Sequence, residues 1–301
     1  MYELIQVSDS CYYIQCPSKI GIVKSAQNEV CLIDSGNDKD AAKKAKKILD
    51  ANGWTLQAVY NTHSHADHIG GNQYLQKQTG CKVYAHGIER DFTEHPILEP
   101  AFLYGANPPD QLRHKFLMAP ESQAELLTEQ CLPPGISMIA LPGHCWDMVG
   151  FRSDDGVVFL ADCLSSELTL QKYQINFLVD VQSYVDTLQA VKNMQAKLFI
   201  PSHIEPTEDI APLAQLNIDK VYEIAELILN ICARPTAFEQ ILKQVFDHYR
   251  LSLSFEQYAL VGSTLRSYLS WLKQQDKLQV VLDSNMLLWQ AQAAARRERE
   301  L

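Results

Sequence analysis

Six consecutive residues, HSHADH from His63 to His68, hold three of the nine histidines in this 301-residue chain, together with an aspartate. Imidazole and carboxylate are the usual ligands of a catalytic divalent ion, so the cluster asks for a metal and for a fold that brings it further ligands. It begins where an apolar run, AVYN (58–61), ends, and it is followed by Gly70-Gly71 and a helical pattern to Thr79. His63 and His65 stand two apart on an extended segment, so both rings can reach one ion. Asp67 and His68 turn onto the helix start and can face a second. Six residues cannot close two coordination shells, so the other ligands have to come from distant parts of the chain.

The pattern around the cluster supplies candidates. Residues 11–16, 20–24 and 29–34 are short β-branched or aromatic runs bounded by turn residues, and they are expected as strands. Residues 38–52 place Ala41, Ala45, Ile48 and Leu49 on one face and stop at Gly53, which predicts a helix with a lysine-rich solvated side. A strand at 81–85 follows the helix that ends at Thr79. Strands resume at 136–141, 148–153 and 156–161, then a helix at 181–194 and a strand at 197–200. His144 in LPGHCWD, Asp162 in FLADC and His203 in FIPSHIEP each follow one of these strands closely. A single histidine after a strand is ordinarily structural. Four strand ends carrying such residues, the first cluster included, predict one edge of a layered α/β fold where all of them gather.

Between these blocks, residues 88–134 break the rhythm with prolines and aromatics, as insertions that lie over an active site as a lid often do. Arg113, His114 and Lys115 there, with Tyr104 and with Tyr173 further on, are candidates to meet a substrate carboxylate or phosphate. From about residue 213 the texture becomes helical, at 213–232, 237–249 and 255–273. A hairpin over 278–290, turning at Asp283-Ser284-Asn285, comes next, and then a terminal helix over AQAAARRERE (291–300). Helix, helix, hairpin is the order of a winged helix.

Charge and cysteine usage narrow the setting. Lys and Arg number 16 against 26 Asp and Glu up to Ile210, and 10 against 10 beyond it, so the net charge of −10 lies in the front two-thirds. Such an acidic body is poorly suited to long nucleic acid, and bound divalent cations would offset part of the excess. No run approaches a membrane span, and no basic start followed by an apolar run suggests export. The eight scattered cysteines form no CxxC pair and are expected as free thiols in a reducing cytoplasm.

HSHADH followed by a strand-end His, Asp and His resembles the metallo-β-lactamase-fold hydrolase superfamily over about residues 1–210. That resemblance implies a four-layer αββα sandwich with the metal site at one edge, here a catalytic domain over 1–212, with 213–301 as a helical, winged-helix-like second domain. It further implies that His63, His65 and His144 hold a first metal, that Asp67, His68 and His203 hold a second, and that Asp162 bridges the two. Two ions about 3.5–4 Å apart would ready a hydroxide for attack on a carbonyl or phosphorus, with Asp67 orienting it or moving its proton. Zinc is the expected metal; iron or manganese suits the same donors.

Within the superfamily, antibiotic-cleaving members commonly place a cysteine at the second metal. Here Asp162 occupies the strand end and its neighbour Cys163 points the other way, so a true β-lactamase is not expected. The full ligand set is similar to that of the glyoxalase II, lactonase and tRNA-processing branches. Hydrolysis of a small-molecule ester or thioester, as in glyoxalase II, is the expected activity. The alternative is a phosphodiesterase or endoribonuclease, because the C-terminal order resembles the human β-lactamase-like protein 2 group. That C-terminal region lacks a basic stripe, so packing or homodimerisation is expected of it ahead of nucleic-acid binding.

Overall fold

Alternation of side chains along the strands decides the layering. The structure, a computed structural model, describes residues 2–292. Four strands, β1 (Glu3–Gln6), β2 (Cys11–Gln15), β3 (Ile20–Ala26) and β4 (Glu29–Ile33), pair antiparallel in chain order. Helix α1 (Lys39–Ala51) crosses to β5 (Thr55–Tyr60), which lies parallel to β4. Asp38 starts that helix, its carboxylate accepting from the backbone of Asp40 and Ala41. Helices α2 (Ala66–Ile69) and α3 (Asn72–Thr79) lead to β6 (Lys82–Ala85), again parallel. The 88–134 insertion forms α4 (Glu89–Glu94), α5 (Leu98–Tyr104) and an edge strand, β7 (Glu125–Leu126), which makes this a seven-stranded sheet.

A second sheet of four strands faces the first. It holds β8 (Ile136–Ala140), β9 (Val149–Ser153) and β10 (Val157–Ala161) as an antiparallel meander. Helices α6 (Glu167–Tyr173) and α7 (Val181–Lys192) then precede β11 (Leu198–Pro201), which is parallel to β10. Tyr13, Cys31, Ile33, Tyr60, Phe151 and Phe159 fill the space between the sheets. Their alternates Ile14, Leu32 and Val59 point outward onto Ala42, Ala45 and Leu49 of α1 and Leu75 of α3. On the far side Val158, Leu160 and Phe199 turn to Tyr184, Val185 and Leu188 of α7. The period of two thus puts an apolar face on each side of both sheets, and the result is the expected order helix, sheet, sheet, helix. Each such side chain, fully buried, contributes about 1.5–3 kcal/mol.

The rest of the chain runs α8 (Ala211–Ile231), β12 (Thr236–Ala237), α9 (Phe238–Tyr249), α10 (Phe255–Gln274), β13 (Leu278–Asp283) and β14 (Met286–Ala291). The hairpin turns on Ser284 and Asn285, both at positive φ (50° and 65°), as a two-residue loop twisted to suit its strands requires. Ile218, Val221, Leu242, Val245, Leu265 and Leu269 join one apolar cluster with the α7 side of the second sheet. Strands β1, β7 and β12 and helix α6 lacked a pattern long enough to announce them. Of the expected terminal helix, Ala291 closes β14 instead, and residues 293–301 lie outside the described residues.

Candidate metal centre

All seven metal-ligand candidates fall on one edge of the sandwich, beyond the carboxyl ends of β5, β8, β10 and β11. The chain leaves β5 into Asn61-Thr62 and presents His63 and His65 before α2 forms, so Asp67 and His68 ride on that helix's first turn. Two glycines let α2 and α3 dock there. A Cβ on Gly70 would lie 2.4 Å from the Asn37 carbonyl oxygen, and one on Gly71 2.3 Å from that of Ser35. The Gly-Gly pair after the histidines is therefore a close-approach requirement set by the loop after β4.

The candidates form two sets. Nε2 of His63 lies 3.1 Å from Nδ1 of His65, and Nε2 of His144 lies 3.0 Å from that same nitrogen. Asp67, His68, Asp162 and His203 make the second set, each with one ligand atom within 4.8 Å of the others'. His203 Nε2 is 3.2 Å from Asp67 Oδ2 and 3.1 Å from Asp162 Oδ2. The same Asp162 oxygen is 3.4 Å from His68 Nε2 and 4.0 Å from His144 Nε2, so it stands between the sets.

The far nitrogen of each ring settles which nitrogen faces the site. Nδ1–H of His144 donates to the Phe177 carbonyl at 3.0 Å, and Nδ1–H of His203 to that of Pro17 at 2.8 Å. A carbonyl can only accept, so in each of these rings Nδ1 carries a proton and Nε2 is the nitrogen turned to the site, bare when the ring is neutral. Nδ1–H of His68 donates to Asp34 Oδ2 at 2.8 Å. Thr62 gives its hydroxyl proton to the same Asp34 oxygen at 2.8 Å, so its oxygen is free to accept from His63 Nδ1–H at 3.0 Å. His65 is reversed: its Nε2 is 3.3 Å from Cys145 Sγ and 3.6 Å from Glu99 Oε1, and Nδ1 faces the site. Two lone pairs about 3 Å apart repel each other, whereas nitrogens about 2.0–2.1 Å from a shared zinc sit about 3.3 Å apart. The buried His68 Nε2 and Asp162 Oδ1 have no hydrogen-bond partner in the structure. The residues present therefore fit two cations.

Electrostatics divides the sets. Burial holds the His63 and His144 imidazoles below the usual histidine range and lowers His65 to about 3, so all three are neutral donors. In the second set the Asp162 carboxylate raises His203 to about 10. Burial alone would push Asp67 and Asp162 upward, but His68 and His203 outweigh it and hold both ionised. Asp34 (φ 63°) and Ala161 (φ 51°) are left-handed at strand ends beside the site, a strain of order 1–3 kcal/mol each that the surrounding contacts maintain.

A cavity of about 340 Å³ opens onto His144, Asp162 and His203, lined also by Ser165, Thr169, Tyr173 and Phe177. Tyr173 is thus at the site. Tyr104 lines a separate cavity of about 590 Å³ with Trp146, Arg266 and Trp271. The three basic candidates lie elsewhere: Arg113 bonds Pro108 and Asn107, His114 pairs with Glu256 at 3.0 Å, and Lys115 with Asp38 at 3.6 Å. Cys163 is buried in the core on the α7 side, as the strand alternation required. The sequence reading missed Asp34, Ser18, Glu89, Glu99 and Cys145 around the ligands. Asp34 ends a strand as Asp162 does, so the same rule applied once more finds it. Glu89 and Glu99 lie in the insertion and carry no local signal.

Among proteins of known family, residues 13–203 match the model of the metallo-beta-lactamase superfamily, and the chain belongs to it. A hydroxyacylglutathione hydrolase of Methylococcus capsulatus is 32% identical over 128 residues, which is 42% of this chain and 41% of that protein. The chain thus spans less than half the length of that curated relative. A metallo-beta-lactamase family protein from Thermus thermophilus superposes with a TM-score of 0.67 at 15% identity, covering 97% of this chain and 98% of its own. A beta-lactamase domain protein from Burkholderia ambifaria gives 0.69 at 16%, covering 96% and 94%. These two likenesses show the fold over nearly the whole chain.

Proposed function

We propose that the chain is a dinuclear metal-dependent hydrolase acting on a small-molecule ester or thioester. The observation that carries this reading is the convergence of seven donors into two sets that share Asp162. His63, His65 and His144 would hold one divalent ion, Asp67, His68 and His203 the other, and Asp162 both. Zinc suits these donors best; iron and manganese are the other candidates. Ions held there supply Lewis acidity and a hydroxide nucleophile at neutral pH. The chain's own residues do the rest. Asp67, fixed by the Ser18 hydroxyl at 2.7 Å, is a proton acceptor beside the reacting centre. Tyr173 and Phe177 offer an apolar wall for an acyl group, and Ser165 and Thr169 offer hydroxyls to orient its polar atoms.

The name of the Methylococcus relative supports a thioester, and the net charge of −10 argues against a long polyanion. RNA phosphodiester cleavage is the second reading. It draws on the helix–helix–hairpin order of residues 238–291, which we read as winged-helix-like and as a packing or dimer element. Among the described residues no helix is long and apolar enough to cross a membrane, and all eight cysteines are free, which supports a reducing, cytoplasmic setting. One preparation assayed against a thioester, a lactone, a nitrophenyl phosphodiester and a short RNA tests the substrate class. Thioester turnover is expected to lead; faster RNA cleavage overturns the ranking.

A further inference from the structure

We propose that Glu89 is a positioning residue for the three-histidine half of the metal centre, an inference that rests on the metal-site reading above. Glu89 opens α4, the first helix of the insertion, and its side chain is almost fully buried. Its Oε2 accepts from the Ser64 backbone N–H at 3.0 Å and from the Ser64 hydroxyl at 2.6 Å. Its Oε1 accepts from the Asp147 backbone N–H at 3.2 Å. Ser64 stands between His63 and His65, and Asp147 is three residues beyond His144. One carboxylate therefore ties together the two loops that carry all three imidazoles of the first set.

The contact is reciprocal. Asp147 Oδ2 accepts from the Ile88 backbone N–H at 2.8 Å. Gly87, at φ 49°, comes so close that a Cβ there would lie 2.0 Å from the same oxygen. The start of the insertion and the His144 loop are thus clasped from both sides, at a glycine no other residue replaces without moving the loop. The hydrogen bonds of the Glu89 carboxylate go to Ser64 and Asp147; the residues of the second set are held by Ser18, Asp34 and Pro17 instead. Partners that orient metal-ligating side chains typically govern affinity by 10–100-fold. The clasp therefore predicts a selective effect on one ion of the pair.

Stepwise zinc binding to the metal-stripped full chain, in competition with a chromophoric chelator, tests this. Glu89→Gln keeps the shape but offers a single acceptor oxygen, so it can satisfy one loop and not both. It is expected to weaken one zinc about 10–100-fold and leave the other unchanged, with the surviving affinity matching that of His144→Ala and not His203→Ala. Ser64→Ala should do the same more weakly, and Ser64→Thr, which keeps the hydroxyl, should restore it. Unchanged binding of both ions in Glu89→Gln, or equal weakening of both, overturns the proposal. If Glu89→Gln does not fold, the Ser64 pair decides by the same two outcomes. Wild-type protein that takes up no zinc overturns the metal reading and this one together.

Discussion

The two halves of the centre solve the same problem by different means. His63, His65 and His144 are neutral donors, His63 buried and the other two partly so, each with its far nitrogen against a hydroxyl, a carbonyl or the Cys145–Glu99 pair. Asp67, His68, Asp162 and His203 are a set of compensating charges, and the Asp67 and His203 side chains are each 39% exposed. With Asp162 shared, an ion held by the three histidines would face one carboxylate, whereas an ion held by the second set would face two. On the proposed reading the first half would be suited to polarising a substrate oxygen and the second to retaining a cation near water. Geometry in the first is imposed by hydrogen bonds behind the rings, and in the second by mutual attraction.

Removing the group the halves share has the largest expected effect. Asp162→Ala should lower kcat/KM on a model thioester by about 1000-fold or more, with the circular dichroism spectrum unchanged. Full turnover in that variant would mean the two halves do not form one centre. Next in size is chelation. Stripping the metal should abolish hydrolysis and lower the unfolding midpoint, since a ligand at a hundred times its Kd stabilises the native state by about 2.7 kcal/mol. Calorimetry before and after zinc is returned measures this, and an unmoved midpoint would detach the metal from the fold.

Losing one half at a time sharpens the contrast. His144→Ala and His203→Ala should each retain about one zinc per chain by elemental analysis, with His144→Ala the less active because the neutral-donor half is the one lost. Equal activities would erase that distinction. Asp34→Asn should weaken zinc binding about 10–100-fold, because Asp34 orients His68 directly and His63 through Thr62. The smallest effect belongs to Lys115→Ala. Lys115 pairs with Asp38 away from the centre, so kcat/KM should stay within about twofold of wild type.

The sequence alone singled out the seven candidate ligands and the strands that present them. HSHADH, and the residues placed just after residues 136–141, 156–161 and 197–200, are local patterns, and a strand's period of two shows in a single segment. It also determined the helix capped by Asp38 and the hairpin at Ser284-Asn285, since caps and turns depend on adjacent residues. Only the tertiary structure decided what stands behind the ligands. Glu89 and Glu99 reach Ser64 and His65 from 25 or more positions away, and Pro17 reaches His203 across 186. Only the fold, too, took Arg113, His114 and Lys115 out of the site, by pairing them elsewhere. A hydrogen bond forms wherever folding brings donor and acceptor together, so partners distant in sequence leave no periodic trace in it.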